Sequence, residues 1–226
     1  MLLVTLAIAP GIFWLWYFLQ RDQLRPEPRF LVRRVFMLGA VAALVAAVAE
    51  VGTLRAAGLP VDPSAMGNLV PVAAIIGMVE EGFKFVAVFV GVYRHAAFDE
   101  VLDGIIYMVT ASMGFATIEN IAYVLKGGFS VAVTRAFLSV PGHAFFSALM
   151  GFYMGVAKFS GPLEGRWLLR GFGLAALAHA GYDAALFTGA WPALIVIPLV
   201  AFLWRRAAIH VQEAQAMDDQ RFRRRA

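Results

Sequence analysis

Long apolar stretches alternate with short polar segments along almost the whole chain. A helix needs about 20 mostly apolar residues to cross the hydrocarbon core of a bilayer. Residues 2–19 have no positively charged leader and no clear small-residue cleavage site, so we interpret them as a membrane helix and not as a signal peptide. The pattern predicts an all-α membrane protein, a polytopic bundle of about seven transmembrane helices, with spans at about 2–19, 35–57, 69–93, 104–125, 136–158, 168–188 and 191–205.

Three polar segments interrupt or follow these spans. We expect an arginine- and proline-rich loop at 21–34, an outer loop with two prolines at 58–67, and a basic tail at 206–226 that forms a short amphipathic or frayed helix. Neither an internal repeat nor a second domain is visible. The expected organisation is one transmembrane domain at 1–205, with its functional core at about 69–190.

The composition also indicates that the chain is embedded in a lipid bilayer. Of its 226 residues 61% are hydrophobic and 15% are charged, and the mean hydropathy is +0.75. Soluble domains contain about 25% charged residues. The absence of cysteine excludes disulfides and thiolate chemistry. A net charge of +4 does not indicate nucleic-acid binding, since most basic residues lie in short loops and the tail.

The distribution of lysine and arginine predicts the orientation, because cytoplasmic loops are enriched in both. With seven spans, the outer side receives only Arg55, Lys126 and Arg135. The opposite side receives Arg21, Arg25, Arg29, Arg33, Arg34, Arg94, Lys158, Arg166, Arg170, Arg205, Arg206, Arg221, Arg223, Arg224 and Arg225. We therefore expect the N-terminus outside and the C-terminus in the cytoplasm.

The third apolar stretch contains three ionisable residues within five positions: Glu80, Glu81 and Lys84. One charge at mid-bilayer costs roughly 2.5–3.5 kcal/mol on insertion scales, so such groups usually serve a function. Lys84 can reach either glutamate from one helical turn away. A simple buried ion pair would leave the other glutamate unpaired, which favours a functional site.

Later stretches add Glu119 with Asn120, then His143, then His179 with Asp183. Each has a structural alternative: interhelical hydrogen bonding for Asn120, a core histidine for His143, and a local pair for His179 and Asp183. His143, Ser147, Gly151 and Gly155 recur every four residues, a stripe that predicts close helix packing.

Depth separates the functional interpretation from the structural alternatives. At 1.5 Å per residue, the two glutamates of the third stretch and the ionisable groups of the later stretches fall within a slab roughly 8 Å thick. A common depth predicts one polar site enclosed by helices 3 to 6.

Four motifs in order resemble the PrsW family of intramembrane proteases, within the superfamily of CAAX prenyl endopeptidases and bacteriocin-processing proteases. They are Glu80-Glu81-x-x-Lys84, Phe115-x-x-x-Glu119-Asn120, Pro141-Gly142-His143-Ala144 and His179-x-x-x-Asp183. The resemblance covers about residues 70–190. The CAAX endopeptidases carry a histidine where this chain has Glu119.

The resemblance implies cleavage of membrane-anchored proteins such as anti-sigma factors, in a bacterial inner membrane. It implies catalytic roles for Glu80, Glu81, Glu119, His143, His179 and Asp183, with Lys84 and Asn120 in support.

Two hydrolytic routes remain open from the residues. The chain has no cysteine, no Gly-x-Ser-x-Gly motif and only one aspartate at the right depth, which disfavours serine, cysteine and aspartyl chemistry. In one route a glutamate activates water and a histidine stabilises the oxyanion. In the other, Zn²⁺ activates the water. The excess of carboxylates over Lys84 favours a bound cation, with candidate ligands His143, His179, Glu119 and Asp183.

Two other classes of function fit parts of the pattern. Chains of Asp, Glu and His also form the proton relays of coupled transporters, although no internal repeat supports that class. A non-catalytic membrane scaffold that binds lipid or prenyl groups would have little reason to retain so many costly ionisable residues. The expected partners are a membrane-anchored protein substrate and the lipid bilayer, without nucleic acid, and the oligomeric state is left open.

Overall fold

The structure is a computed structural model that describes residues 2–22, 25–61, 68–188 and 192–224. The described residues are overwhelmingly helical and contain no strand, which confirms the all-α class. The helices are α1 (Leu2–Leu19), α2 (Arg29–Ala56), α3 (Leu69–Val88), α4 (Val101–Thr134), α5 (Val140–Lys158), α6 (Glu164–Phe187) and α7 (Pro192–Arg223). Short π-helical segments extend α3 (Phe89–Tyr93) and join α4 to α5 (Arg135–Ser139), and a 3₁₀ turn (Gly161–Leu163) precedes α6.

Within the described ranges, four helical segments are long and apolar enough to cross a membrane: Leu2–Leu19, Arg29–Ala56, Val101–Lys158 and Leu194–Arg223. Helix α3 carries three ionisable residues within its 20 positions, yet all three are buried inside the bundle. Large apolar side chains such as Val70, Met78 and Val86 occupy its exposed face. The chain is therefore an integral membrane protein with polar groups turned inward.

Several predicted boundaries are wrong, because the helices extend beyond their apolar stretches. Helix α2 begins at Arg29, inside the predicted 21–34 loop. Helix α4 continues past residue 125 to Thr134, with non-helical dihedrals at Gly128, where φ is +70°. Arginines and glycines do not stop a helix that neighbouring helices support, so hydropathy alone misplaces these ends. In the predicted 58–67 loop, residues 62–67 lie outside the described residues.

The tail also differs from its prediction. It is helical and amphipathic, but it continues α7 without a break as far as Arg223. Ala207, His210, Val211, Ala214 and Asp218 are buried along one face of this extension, a helical spacing. His210, on the same face, is also buried, and its ring stacks on Phe152 at 4.2 Å.

Helix α4 lies at the centre of the bundle, and every residue from Val101 to Thr117 is buried. It packs against α5 through glycines: a Cβ at Gly104 would lie 2.2 Å from the Gly151 carbonyl oxygen, and one at Gly155 would lie 2.0 Å from the Val101 oxygen. The predicted close-packing stripe on α5 is confirmed. It brings the N-terminal half of α5, which carries His143, against the middle of α4.

Candidate active site

The buried ammonium of Lys84 lies between both neighbouring glutamates. Its Nζ atom donates to Glu81 Oε1 at 2.8 Å and to Glu80 Oε2 at 3.2 Å. None of the Lys84 surface is exposed. The expectation that an ion pair would leave one glutamate unpaired is wrong, because one turn of helix brings Lys84 within reach of both.

His143 connects this cluster to α4. The Lys84 Nζ atom lies 2.9 Å from His143 Nδ1 and can only donate, so Nδ1 accepts and the imidazole proton resides on Nε2. That Nε2 atom lies 2.8 Å from Glu119 Oε2. The backbone carbonyl of His143 accepts a hydrogen bond from Ser112 Oγ at 2.8 Å. Both the ring and the main chain of His143 are therefore held.

His179 lies opposite, and its ring contacts four side chains. Its Nδ1 atom forms a 3.0 Å hydrogen bond with Glu81 Oε1, and its Nε2 atom lies 3.5 Å from Asp183 Oδ2 on the same helix. The ring stacks on Phe146 at 4.9 Å and meets the His143 ring edge-on at 5.2 Å. The imidazole thus presents Nε2 toward Glu80.

A gap remains at the centre of the cluster. Glu80 Oε2 lies 3.8 Å from His179 Nε2 and 3.9 Å from His143 Nδ1, too far for direct hydrogen bonds. Polar atoms at such separations are commonly bridged by a water molecule. Lys84 Nζ bridges Glu80 to His143, so the open position, which is suited to one small polar reactant, lies between Glu80 Oε2 and His179 Nε2.

A cavity of about 560 Å³ opens onto this cluster. Glu80 lines it, whereas Glu81 is fully buried behind Glu80. The wall is largely apolar with a few polar groups, the usual composition of a small-molecule or peptide site. Its charged lining residues are Glu50, Glu80, Glu119, Lys126, Arg135 and Asp183, and its apolar ones include Ile76, Phe115 and Phe146.

Sequence reasoning missed Arg135, which it assigned to an outer loop. Arg135 Nη2 lies 3.1 Å from Glu119 Oε2, and its Nε donates to Asn120 Oδ1 at 2.8 Å. Asn120 in turn donates to the Ala7 carbonyl at 2.7 Å, the interhelical hydrogen bond considered for it. An arginine at the edge of an apolar stretch, eight residues before His143, was the available signal. Its charge also reduces the excess of carboxylates that favoured a bound cation.

Sequence reasoning also did not single out Tyr182 and Glu50. Tyr182 is buried, lines the cavity, and shares a 2.9 Å hydrogen bond between its hydroxyl and Ser139 Oγ. Glu50 lines the cavity as well. Both side chains face inward because of how α2 and α6 are rotated in the bundle, which sequence spacing does not reveal.

Three side chains of the cluster could hold a metal ion. Glu80, His143 and His179 each offer one ligand atom, all within 4.8 Å of one another, and these donors suit Zn²⁺. Each histidine has its other nitrogen on a carboxylate, Glu119 or Glu81, as zinc-binding histidines commonly do. The donors fit in type and spacing, but Lys84 already donates to His143 Nδ1 and Glu80. Of the predicted ligands, Glu119 and Asp183 lie beside the histidines and outside this group of three.

A bundle of apolar helices that encloses carboxylates and imidazoles at a cavity defines an integral membrane protein with a buried polar site. The chain belongs to the PrsW family: the family described as PrsW family intramembrane metalloprotease matches residues 27–205. The resemblance noted from the four motifs is confirmed, and with it an intramembrane protease.

Curated relatives cover nearly the whole chain. Protease PrsW of Geobacillus kaustophilus (strain HTA426) is 36% identical over 214 residues, 94% of this chain and 92% of the relative. Protease PrsW of Bacillus subtilis (strain 168) is 36% identical over 203 residues, 89% and 90% of the two chains. Protease PrsW of Clostridioides difficile (strain 630) is 29% identical over 212 residues, 90% and 86%. No solved structure matches.

Proposed function

We propose that this protein is an endopeptidase that cleaves membrane-anchored proteins at the Glu80–His143–His179 cluster. The observation that carries the proposal is the central gap, where Glu80 Oε2 and His179 Nε2 face one position at the base of the cavity, with the His143 ring beside it. Peptide hydrolysis needs a base for water and donors for the oxyanion. This cluster has both kinds of group within reach of one another.

In the proposed reaction, the Glu80 carboxylate accepts a proton from water as the water oxygen attacks the scissile carbonyl carbon. Glu80 reaches the cavity, and its neighbour Glu81 orients His179. His179 acts as an imidazolium, with its Nδ1 proton donated to Glu81, and its Nε2 proton is donated to the developing oxyanion. The proton held by Glu80 then passes to the leaving nitrogen as the C–N bond breaks. Water is thereby divided between the new carboxyl and amino ends.

Glu80, His143 and His179 would also hold a zinc ion, which would supply a Lewis acid that activates the water. The histidine–carboxylate contacts support such a site, whereas the Lys84 ammonium beside two of its three donors opposes it. We favour the glutamate route over the zinc route because of this position of Lys84.

We propose a single-pass, membrane-anchored protein of the anti-sigma-factor type as substrate. The apolar cavity wall accommodates a short unwound segment of such a chain. A substrate that lies in the bilayer could approach between helices, because α2 and α4 contribute much of the lining.

The orientation forms part of the proposal. We propose that all seven helices cross the bilayer, with the N-terminus outside and the α7 end in the cytoplasm. The inward-facing polar groups of α3 and α6 support spans there, since Leu169 and Leu177 occupy the exposed face of α6. The cysteine-free chain suits labelling: in sealed vesicles, Arg55→Cys and Arg94→Cys should react from opposite sides. Labelling of both from one side would reject the topology.

The activity test uses the purified full chain, reconstituted with a single-pass substrate, and mass spectrometry of the products. We expect cleavage at one bond and its loss in Glu80→Gln, His143→Ala and His179→Ala, with unchanged elution on size exclusion. His95→Ala is the matched control, because His95 is exposed and remote from the cluster. Cleavage that persists in all three site variants would place the activity elsewhere.

A further inference from the structure

A second cluster of carboxylates lies at the other end of α4. Asp22 and Glu27 belong to the α1–α2 connection, and Asp103 belongs to the first turn of α4. Sixteen residues separate Asp103 from Glu119, roughly 24 Å along the helix at 1.5 Å per residue. This cluster is therefore distinct from the candidate active site. It lies at the end of the bundle that the arginine distribution predicts to be cytoplasmic.

The three carboxylates are buried and close together. Asp22, Glu27 and Asp103 are 4%, 8% and 1% exposed, and each offers one oxygen within 4.8 Å of the others. Burial of a carboxylate is costly unless an opposite charge or hydrogen bonds compensate. Three such groups in one place require compensation.

No described Lys, Arg or His lies within ion-pair distance of the three carboxylates. Arg21 lies instead over the Tyr17 ring, and Arg25 pairs with Asp99 and Glu100. Two oxygens, Asp22 Oδ2 and Asp103 Oδ1, are buried without a hydrogen-bond donor among the described residues.

Two other oxygens of the cluster are anchored. Asp103 Oδ2 accepts hydrogen bonds from the backbone N–H groups of Asp99 and Glu100, both at 2.8 Å. Tyr107 donates its hydroxyl proton to Glu27. These contacts account for one oxygen each on Asp103 and Glu27, and they leave Asp22 Oδ2 and Asp103 Oδ1 available as ligands.

We propose that Asp22, Glu27 and Asp103 bind one hard divalent cation, Mg²⁺ or Ca²⁺, which fastens the α1–α2 connection to the start of α4. An all-oxygen, carboxylate-rich donor set suits these ions, whereas zinc prefers nitrogen and sulfur ligands. The bound cation neutralises the cluster and satisfies the two bare oxygens. It acts on the bundle at a distance from the cleavage chemistry, so the inference does not depend on the proposed function.

The experiment uses the full chain in detergent after treatment with a chelator. Mn²⁺, counted by the loss of its free-ion EPR signal, is the probe, and Mg²⁺ and Ca²⁺ are the competitors. We expect one Mn²⁺ per chain with a Kd at or below about 1 mM, displaced by at least one competitor. Addition of the competing ion should also raise the melting temperature. The stronger competitor identifies the preferred ion.

Asp22→Asn and Glu27→Gln should each weaken Mn²⁺ binding at least about tenfold. Both variants remove a buried negative charge, so without the cation they should be as stable as the parent or more so. Asp99→Asn is the matched control: its side chain is 58% exposed and pairs with Arg25, so binding should not change. Glu80→Gln should also bind normally, which separates this site from the candidate active site.

Two results would overturn the proposal. One is the absence of saturable Mn²⁺ binding below about 1 mM, which would leave shared protons as the compensation for the buried carboxylates. The other is unchanged binding in both Asp22→Asn and Glu27→Gln, which would place the ion elsewhere.

Discussion

The Nδ1 atom of His179 lies 3.0 Å from Oε1 of Glu81, although 98 residues separate the two along the chain. This hydrogen bond joins α6 to α3 and fixes the imidazole. Glu81 is fully buried, while Glu80, the preceding residue, lines the cavity. The two adjacent glutamates therefore have different surroundings, and their substitutions should have different consequences.

Glu80→Gln should lower kcat by about 10²–10⁴-fold, the usual contribution of a general base. Glu81→Gln should lower kcat less, because an amide oxygen still accepts from His179, but it should lower stability more. The reason is that Lys84 loses its shorter ionic contact in a buried setting, where removal of one partner of an ion pair costs up to about 3–5 kcal/mol. Rates and melting temperatures of both variants check this.

Glu213→Gln is the control for this pair, since Glu213 has a side chain 48% exposed on α7. It should change neither quantity. Equal losses of kcat in both site variants, with equal stability, would show that the two glutamates share one role.

Arg135→Gln should reduce activity, because Glu119 then loses its ionic partner and no longer holds His143 in place. A small displacement of a catalytic group costs about 10- to 100-fold in rate. The loss should appear in kcat more than in KM, and Arg135→Lys should restore part of it. Arg55→Gln, the same charge change at an exposed position of α2, is the control. If Arg135→Gln kept the parent's kcat, Arg135 would have no part in the activity of the site.

Gly155→Ala should destabilise the contact between α4 and α5. The added Cβ would lie 2.0 Å from the Val101 carbonyl oxygen, a backbone atom that cannot move aside easily. We expect a loss of about 1–3 kcal/mol, the usual cost of overpacking, measured as a lower melting temperature.

Gly173→Ala tests the specificity of that effect. Its Cβ would have no neighbour within 4 Å among the described residues, and it lies within α6. Alanine at an unhindered helical site should be neutral or stabilising by about 0.5–1 kcal/mol. Similar losses in both variants would mean that helix packing at Gly155 is looser than the structure shows.

Lys84→Met should strengthen zinc binding. In the parent chain the ammonium donates to His143 Nδ1 at 2.9 Å and to Glu80 Oε2 at 3.2 Å, so it competes with a cation for both donors. We expect the parent to lose zinc readily to a chelator and the variant to retain more. The measurement is zinc per chain after dialysis against increasing chelator concentrations.

His179→Ala in the Lys84→Met background should abolish the gained zinc, which confirms where it binds. Tight zinc in the parent that is unaffected by Lys84→Met would contradict competition. In that case the metal route would replace the glutamate route.

Much of the site was predictable because membrane burial of charge is a local signal. Glu80, His143 and His179 stand out against their apolar neighbours, and the structure brings them to one cavity. The same signal fails for Arg135, which lies where a span ends, and for Asp22, which lies in a connection. Charged residues are common at the ends of spans and in connections. Their role there depends on which residues of other helices lie beside them.

The sequence by itself determined the class of the protein, the approximate helices and the set of costly polar groups. Those properties depend on residues near one another in the chain, through hydropathy and helical spacing. Only the tertiary structure decided that Glu80 and not Glu81 faces the cavity, that Lys84 contacts both glutamates, and that α7 continues to Arg223. These features depend on how each helix is rotated and packed against its neighbours. Contacts between residues that are far apart in the chain determine that packing.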